Sequence, residues 1–363
     1  MVRFCLTSPL LRNTSTIEIS IEMYKVSILV PVYRVEAYIE RCARSLFEQT
    51  YANLEYVFVN DCSPDNSIEV LKSVMAQYPE RADNVRILMH EKNRGLAVAR
   101  NTALDNATGE FVCVVDSDDW LELDAIEILV RKQVETNADI VTGNTHMHYD
   151  EYVKDLVEKE YLDKDQMLLQ QLKDVWTMNT FIWGRLYRRS LYEDHHIRCK
   201  EGANYAEDRY QVVRLSYFAD SFANIDAFVY NYEKRNETSI TVQQKENMSV
   251  YLRNQYQHLQ NWIGIRDFFS DKEKAYYHLS VFNTSRLLKM NLKWALKYKT
   301  KGDFFDIVGL IDDNEDCMRE MGWKRKGIKG VFLHNYYFMR AKLLVQRVVR
   351  KVGKVIGVIR TSE

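Results

Sequence analysis

The stretch FVCVVDSDDW, residues 111–120, sets Asp116, Asp118 and Asp119 directly behind five apolar residues. Asp116 and Asp118 are two positions apart, so on extended chain their side chains point the same way. Such a pair of hard oxygen ligands suits Mg2+ or Mn2+, which take one or two carboxylates and complete their shell with substrate phosphates. The competing reading is a helix cap, with Asp119 starting the helix expected over WLELDAIEIL. Both hold together if Asp119 caps while Asp116 and Asp118 face a ligand. The usual phosphate cradles are missing: no GxGxxG follows a strand and no GxxxxGK[ST] occurs, which disfavours a dinucleotide dehydrogenase or a P-loop phosphotransferase.

The elements that must carry these residues are legible between Lys25 and Gly143. Continuous apolar runs at 26–32, 54–61, 85–90, 110–116 and 138–144 alternate with helical patterns near 36–49, up to Met75, at 96–107 and at 122–136. Strands that are apolar throughout predict a mostly parallel sheet covered by helices on both faces. Sheets of this kind bind ligands at the carboxyl ends of their strands. Those ends here are Pro31-Val32-Tyr33, Asn60-Asp61, His90-Glu91 and the acidic cluster. Residues 145–240 are aromatic-rich, with helices expected near 165–175 and 208–219 and a strand at 227–232; from 243 to 320 the pattern is helical.

The segments VSILVPVYRVEAYIERCARSLFEQTYANLEYVFVNDCSPDNS and EKNRGLAVARNTALDNATGEFVCVVDSDDWLELDAI resemble the nucleotide-binding half of a family 2 glycosyltransferase with the GT-A fold. The resemblance covers about 25–145 and continues more weakly to about 240. It implies an α/β fold with a Rossmann-like, mostly parallel sheet followed by a helical C-terminal region. It implies an inverting transferase using a nucleotide-activated sugar, usually UDP-linked, with a divalent cation. Position by position, it implies that Pro31 and Tyr33 line the base pocket and that Asp61 accepts from the base. It further implies that Asn93 and Arg100 lie against the nucleotide, that Asp116 holds the ribose and approaches the metal, and that Asp118 ligates the metal. Asn60 stands where the family often has Asp. Arg100 supplies a forked, permanent charge of the kind that suits phosphate.

Inversion requires a base that deprotonates the acceptor hydroxyl. Similar transferases carry a Glu-Asp pair where this chain has Glu207-Asp208, which makes Asp208 the expected base and Glu207 its neighbour. An acidic pair favoured by the helix dipole is the structural alternative. TFIWGRLYRR resembles the family's Trp-x-Lys-Leu-Tyr segment, with Arg185 for Lys, and Trp183 is either an acceptor platform or core. In YEKRNETSIT, Arg235 and Ser239 are expected over the diphosphate. The competing functions are a sugar nucleotidyltransferase and a catalytically inactive sugar-nucleotide binding protein.

Composition bounds the rest. The chain has 363 residues and a net charge of −1, which argues against a nucleic-acid partner. Residues 321–363 hold eleven Lys/Arg and one Glu, a net of +10. Within 338–360, Ala341, Val345, Val348, Val352, Val355 and Ile359 form one stripe and Arg340, Arg347, Arg350, Lys351 and Lys354 fall off it. A basic amphipathic helix over 331–363 is therefore expected, resting on an anionic membrane face, on the chain's own acidic part or on a second copy in a homo-oligomer. A lipid-linked glycan acceptor would suit the first. Six scattered cysteines without CxxC spacing and the absence of a bilayer-spanning apolar run predict a cytoplasmic protein, peripheral on the inner membrane face if the tail binds lipid. His146-x-His148 and His195-His196 are expected as hydrogen-bonded rather than metal-bound. The expected organisation is an N-terminal extension (1–24), a transferase domain (25–240, with 25–145 for the nucleotide-sugar and 146–240 for the acceptor), a helical region (241–330) and the basic helix.

Overall fold

The computed structural model describes residues 24–161, 163–173, 175, 180–298 and five positions between 309 and 319. The N-terminal extension and the basic helix expected over 331–363 lie outside the described residues. Two compact units meet in the sequence at Met248/Ser249.

In the first unit, β1 (Val26–Val32), α1 (Ile39–Phe47), β2 (Leu54–Asn60), α2 (Ser67–Met75), the short α3 (Pro79–Ala82), β3 (Val85–Met89), α4 (Leu96–Asp105) and β4 (Phe111–Val114) alternate as the apolar runs require. There follow β5 (Trp120–Leu121), α5 (Ala125–Thr136), β6 (Ile140–His148), β7 (Val153–Leu156), α6 (Lys164–Leu172), β8 (Arg185–Arg188), α7 (Arg189–Asp194), α8 (Glu207–Phe218), β9 (Phe222–Glu233) and α9 (Ile240–Glu246). The sheet runs β3-β2-β1-β4-β8-β6-β9-β5, with β7 paired to β6. Strands β3, β2, β1 and β4 are parallel, with Val26 level with both Leu54 and Phe111.

The two-residue period of a strand sorts these side chains onto two cores. Ile28, Val30, Tyr56, Phe58, Phe111 and Cys113 pack with Ile39, Cys42 and Leu46 of α1. Leu29, Val57, Val59, Val112 and Val114 pack on the other face with Ala99 and Ala103 of α4. Each fully buried side chain of this size contributes roughly 1.5–3 kcal/mol. Two covered faces explain why the strands read as unbroken apolar runs.

The fifth strand expected at 138–144 forms as β6 but is not the neighbour of β4. Strand β8 enters between them, antiparallel to both, while β6 pairs in parallel with β9. Strand β9 is twelve residues long and carries the chain back to β5, immediately after the acidic cluster, with Trp120 level with Asn231.

The second unit contains α10 (Met248–Phe268) and α11 (Lys274–Tyr298). Thr284 Oγ1 donates to the Trp262 carbonyl and Asn291 Nδ2 to that of Gln255, which fixes the two as an antiparallel hairpin. No helix among the described residues is long and apolar enough to cross a membrane.

Candidate active site

Strand β4 ends in Val114, and the chain then turns at Ser117 and Asp118, where the Asp119 amide donates back to the Asp116 carbonyl at 3.0 Å. Asp116 and Asp118 stand half-buried while Ser117 and Asp119 are buried, so the turn, rather than extended chain, leaves the first two acids accessible. Burial raises the Asp118 carboxyl to about 6, and Asp116 beside it adds to the shift. Asp118 Oδ2 accepts from Asn236 Nδ2 at 2.8 Å. Asp116 Oδ1 accepts from Arg100 Nη2 at 2.7 Å. Each keeps a second oxygen to offer a cation. No cluster of three or more His, Cys, Asp or Glu arranged for a metal occurs among the described residues. A cation here would take two carboxylates at most and fill its shell from diphosphate and water, as Mg2+ commonly does.

Asp119 does not cap a helix. It is fully buried, accepts from the Tyr230 hydroxyl at 2.6 Å and from the Glu233 amide at 2.8 Å, and α5 starts only after Asp124. The same Tyr230 hydroxyl accepts from the Asp116 amide at 3.1 Å. Tyr230 thus locks the acidic loop to β9. Burial with Asp118 and Asp116 nearby pushes the Asp119 carboxyl well up.

Glu207 and Asp208 open α8, directly after Ala206, whose left-handed backbone (φ 58°) turns the chain sharply into the helix. A non-glycine residue in that region stores strain. Arg100 of α4 is 4% exposed and meets both acids. Its Nη1 donates to Glu207 Oε1 at 2.6 Å and to Asp208 Oδ1, and its Nη2 holds Asp116. Asp208 Oδ2 accepts from the Ile182 amide at 3.4 Å. Burial raises the Asp208 carboxyl, opposed by Arg100 and reinforced by Asp116; burial and Asp208 raise Glu207. Asp116, Glu207 and Asp208 therefore converge on one guanidinium, with Asp118 and Asp119 beside Asp116, a local excess of negative charge that a cation or bound protons must offset.

Several expected contacts take another form. Arg100 was expected against the nucleotide, yet both its terminal nitrogens are engaged by carboxylates and its Nε is buried without an acceptor. Asp61 was expected to accept from a base. Its carboxylate instead accepts from the Arg94 amide (2.8 Å) and the Gly95 amide (2.7 Å) and meets His90 Nδ1 (2.7 Å), so it fixes the 93–95 loop. Gly95 has φ 90°, and a Cβ there would strike the Asn204 side chain. Asn93 is exposed on that loop and bonds the Asp61 carbonyl at 3.4 Å. Arg235 was expected over a diphosphate, but Nε and Nη2 form a two-pronged pair with Glu233, both at 2.6 Å. Arg41 binds the same carboxylate at 2.9 Å, and Arg235 with Arg41 holds the Glu233 carboxyl down at about 2. Ser239 is the N-cap of α9, accepting from the Val242 amide. Trp183 is 4% exposed, stacked between Phe181 (4.3 Å) and Tyr230 (4.7 Å). With Phe181 and Tyr230 stacked on it, Trp183 packs as core.

Other expected residues stand open to a ligand or support one that does. Tyr33 is 38% exposed at the end of β1, while Pro31 is buried in the strand opposite Val59. Asn236 and Tyr230 were not anticipated. Asn236 also closes a turn onto Thr238, whose hydroxyl reaches the Arg34 carbonyl at 3.2 Å, so the 235–239 segment lies along the Tyr33–Asp118 edge. The neighbouring Asn-Glu-Thr sequence was the only available signal. Three of those histidines are hydrogen-bonded or stacked: His146 meets Asp155, His148 meets Asn231, and His195 stacks on Phe218. Cys42, Cys62, Cys113 and Cys199 are free thiols.

The model of "Glycosyl transferase family 2" matches residues 27–196. Glycosyltransferase GlyA of Streptococcus pneumoniae is 34% identical over 222 residues, 58% of this chain and 31% of that relative. This chain thus spans under a third of GlyA's length. Glycosyltransferase GlyG of the same organism is 32% identical over 224 residues, 58% of this chain and 71% of GlyG. Among solved structures, TarS 1-349 of S. aureus in complex with UDP superposes with a TM-score of 0.53 at 20% identity, over 78% of this chain and 81% of that one. Mannosyltransferase PcManGT of Pyrobaculum calidifontis, in complex with GDP-Man and Mn2+, gives 0.50 at 18% identity, over 90% and 87%. These likenesses identify the GT-A fold. With the match to GlyG covering most of that protein, the chain belongs to glycosyltransferase family 2.

Proposed function

We propose that this chain transfers a sugar with inversion from a nucleotide-sugar, most simply a UDP-sugar, to a hydroxyl of a glycan or lipid-linked glycan. The observation that carries the reading is the pairing of two half-buried carboxylates, Asp116 and Asp118, with a third, Asp208, on a separate element joined to Asp116 through Arg100. UDP and GDP-Man bound in proteins of the same fold support a nucleotide-sugar donor.

Asp118 and Asp116 would hold Mg2+ or Mn2+, which would neutralise the diphosphate and ease its departure. Tyr33 offers an exposed ring for the base to stack on. The acceptor hydroxyl, hydrogen-bonded to Asp208, attacks the anomeric carbon on the face opposite the diphosphate. A new carbon–oxygen bond forms as the bond to the diphosphate breaks, and the hydroxyl proton passes to Asp208. Burial raises the proton affinity of Asp208, which favours its taking up the hydroxyl proton. Arg235 can serve the diphosphate only by leaving Glu233.

The test is a screen of UDP- and GDP-sugars for turnover with Mn2+ or Mg2+ and with chelator. Metal-dependent release of the nucleoside diphosphate is expected. If no nucleotide-sugar is bound or consumed with either cation, the reading fails; release of pyrophosphate would point to nucleotidyl transfer instead.

A further inference from the structure

Arg100 has no surface for a ligand, which makes its burial a puzzle. A guanidinium taken out of water is costly unless every interaction it makes is strong. Here one fork meets three carboxylates from two distant places in the chain: Asp116, 16 positions away, and the adjacent Glu207 and Asp208, 107 and 108 positions away. The other partner of Asp208 is the Ile182 amide at 3.4 Å, a long bond that orients weakly. The left-handed turn at Ala206 aims the start of α8 at this guanidinium.

We propose that Arg100 is a positioning residue that fixes the Asp208 carboxylate against the Asp116 loop, rather than a ligand of the nucleotide. Nη1 takes Asp208 Oδ1 and leaves Oδ2 for an acceptor hydroxyl, while Nη2 takes Asp116 Oδ1 and leaves its other oxygen for the donor side. The planar fork ties the two carboxylates to one rigid group through separate nitrogens, which the single ammonium of lysine cannot do. Without it, Asp208 turns about its own side-chain bonds, and a misplacement of about 1 Å can cost on the order of 10²-fold in rate.

The inference rests on the glycosyl-transfer reading, and its experiment separates the two. Wild type, R100K, D208N and R100K/D208N are compared in donor affinity, by calorimetry with Mn2+, and in transfer rate. R100K is expected to keep donor affinity while kcat falls roughly 10²-fold. The double variant is expected to be no slower than D208N alone, because Arg100 acts through Asp208. A purely structural role would multiply the two losses. Guanidinium added to R100A is expected to restore part of kcat. The proposal is overturned if R100K loses donor affinity tenfold or more, if the two losses multiply, or if R100K transfers at the wild-type rate. Those outcomes leave the glycosyl-transfer reading standing; that reading falls only if wild type consumes no nucleotide-sugar.

Discussion

Replacing Asp118 with Asn should stabilise the cation-free protein while removing its response to cations. Burial raises the Asp118 carboxyl from 3.8 to about 6, so the folded state disfavours its ionised form. Above the folded value the penalty is fully present, and it fades as pH falls toward 3.8, where both states are protonated. A gap of about two pKa units corresponds to roughly 3 kcal/mol. Asn is nearly isosteric and can still accept from Asn236 Nδ2, so the hydrogen bond at 2.8 Å need not be lost. Scanning calorimetry with chelator at about pH 7.5 should therefore show D118N more stable by up to about 3 kcal/mol. The advantage should shrink steadily between pH 6 and 4. Mn2+ at a hundred times its Kd should stabilise wild type by about 2.7 kcal/mol and leave D118N unmoved. A D118N protein that is less stable at neutral pH, or whose advantage does not change with pH, would refute the reasoning about the acidic loop.

Other substitutions test other parts of the site. D208N should cut transfer about 10²–10⁴-fold with donor affinity retained, as measured by calorimetry; parallel losses of both would remove Asp208 from the base role. W183A should cost about 3–5 kcal/mol in urea unfolding, whereas W183F should leave the acceptor KM unchanged. A raised acceptor KM in a fully stable W183F protein would restore the platform role. Glu55, buried at the start of β2, accepts from Ser27, Thr108, Gly109 and Arg86. Hydrogen bonds from Ser27 and Thr108 and the Arg86 charge hold its carboxyl below 4.5 against the opposing effect of burial. Its contribution is present above the unfolded value and is lost as pH falls through the lower folded one. E55Q should cost about 3 kcal/mol at neutral pH, with the difference from wild type closing in acid; equal stability at neutral pH would count against the network.

The sequence by itself determined the parallel half of the sheet, because a strand covered on both faces must be apolar throughout and each run is bounded by polar turns. It marked Asp116 and Asp118 as a pair, but the extended chain assumed for them gives way to a turn at Ser117 and Asp118. Folding decided what distant residues do. Whether Trp183 faces solvent or core depends on Tyr230, 47 positions later, which closes over one of its faces. Asp119 reads as a cap locally, yet β9 returns beside β5 and brings a hydroxyl and an amide to that carboxylate. Arg100 reads as a phosphate ligand because its fork suits phosphate, but the fork suits carboxylates equally well. Three of them reach it first, carried there by α8 and the end of β4. Spacing along the chain fixes direction within an element, and only the packing of elements fixes which partner a charge meets.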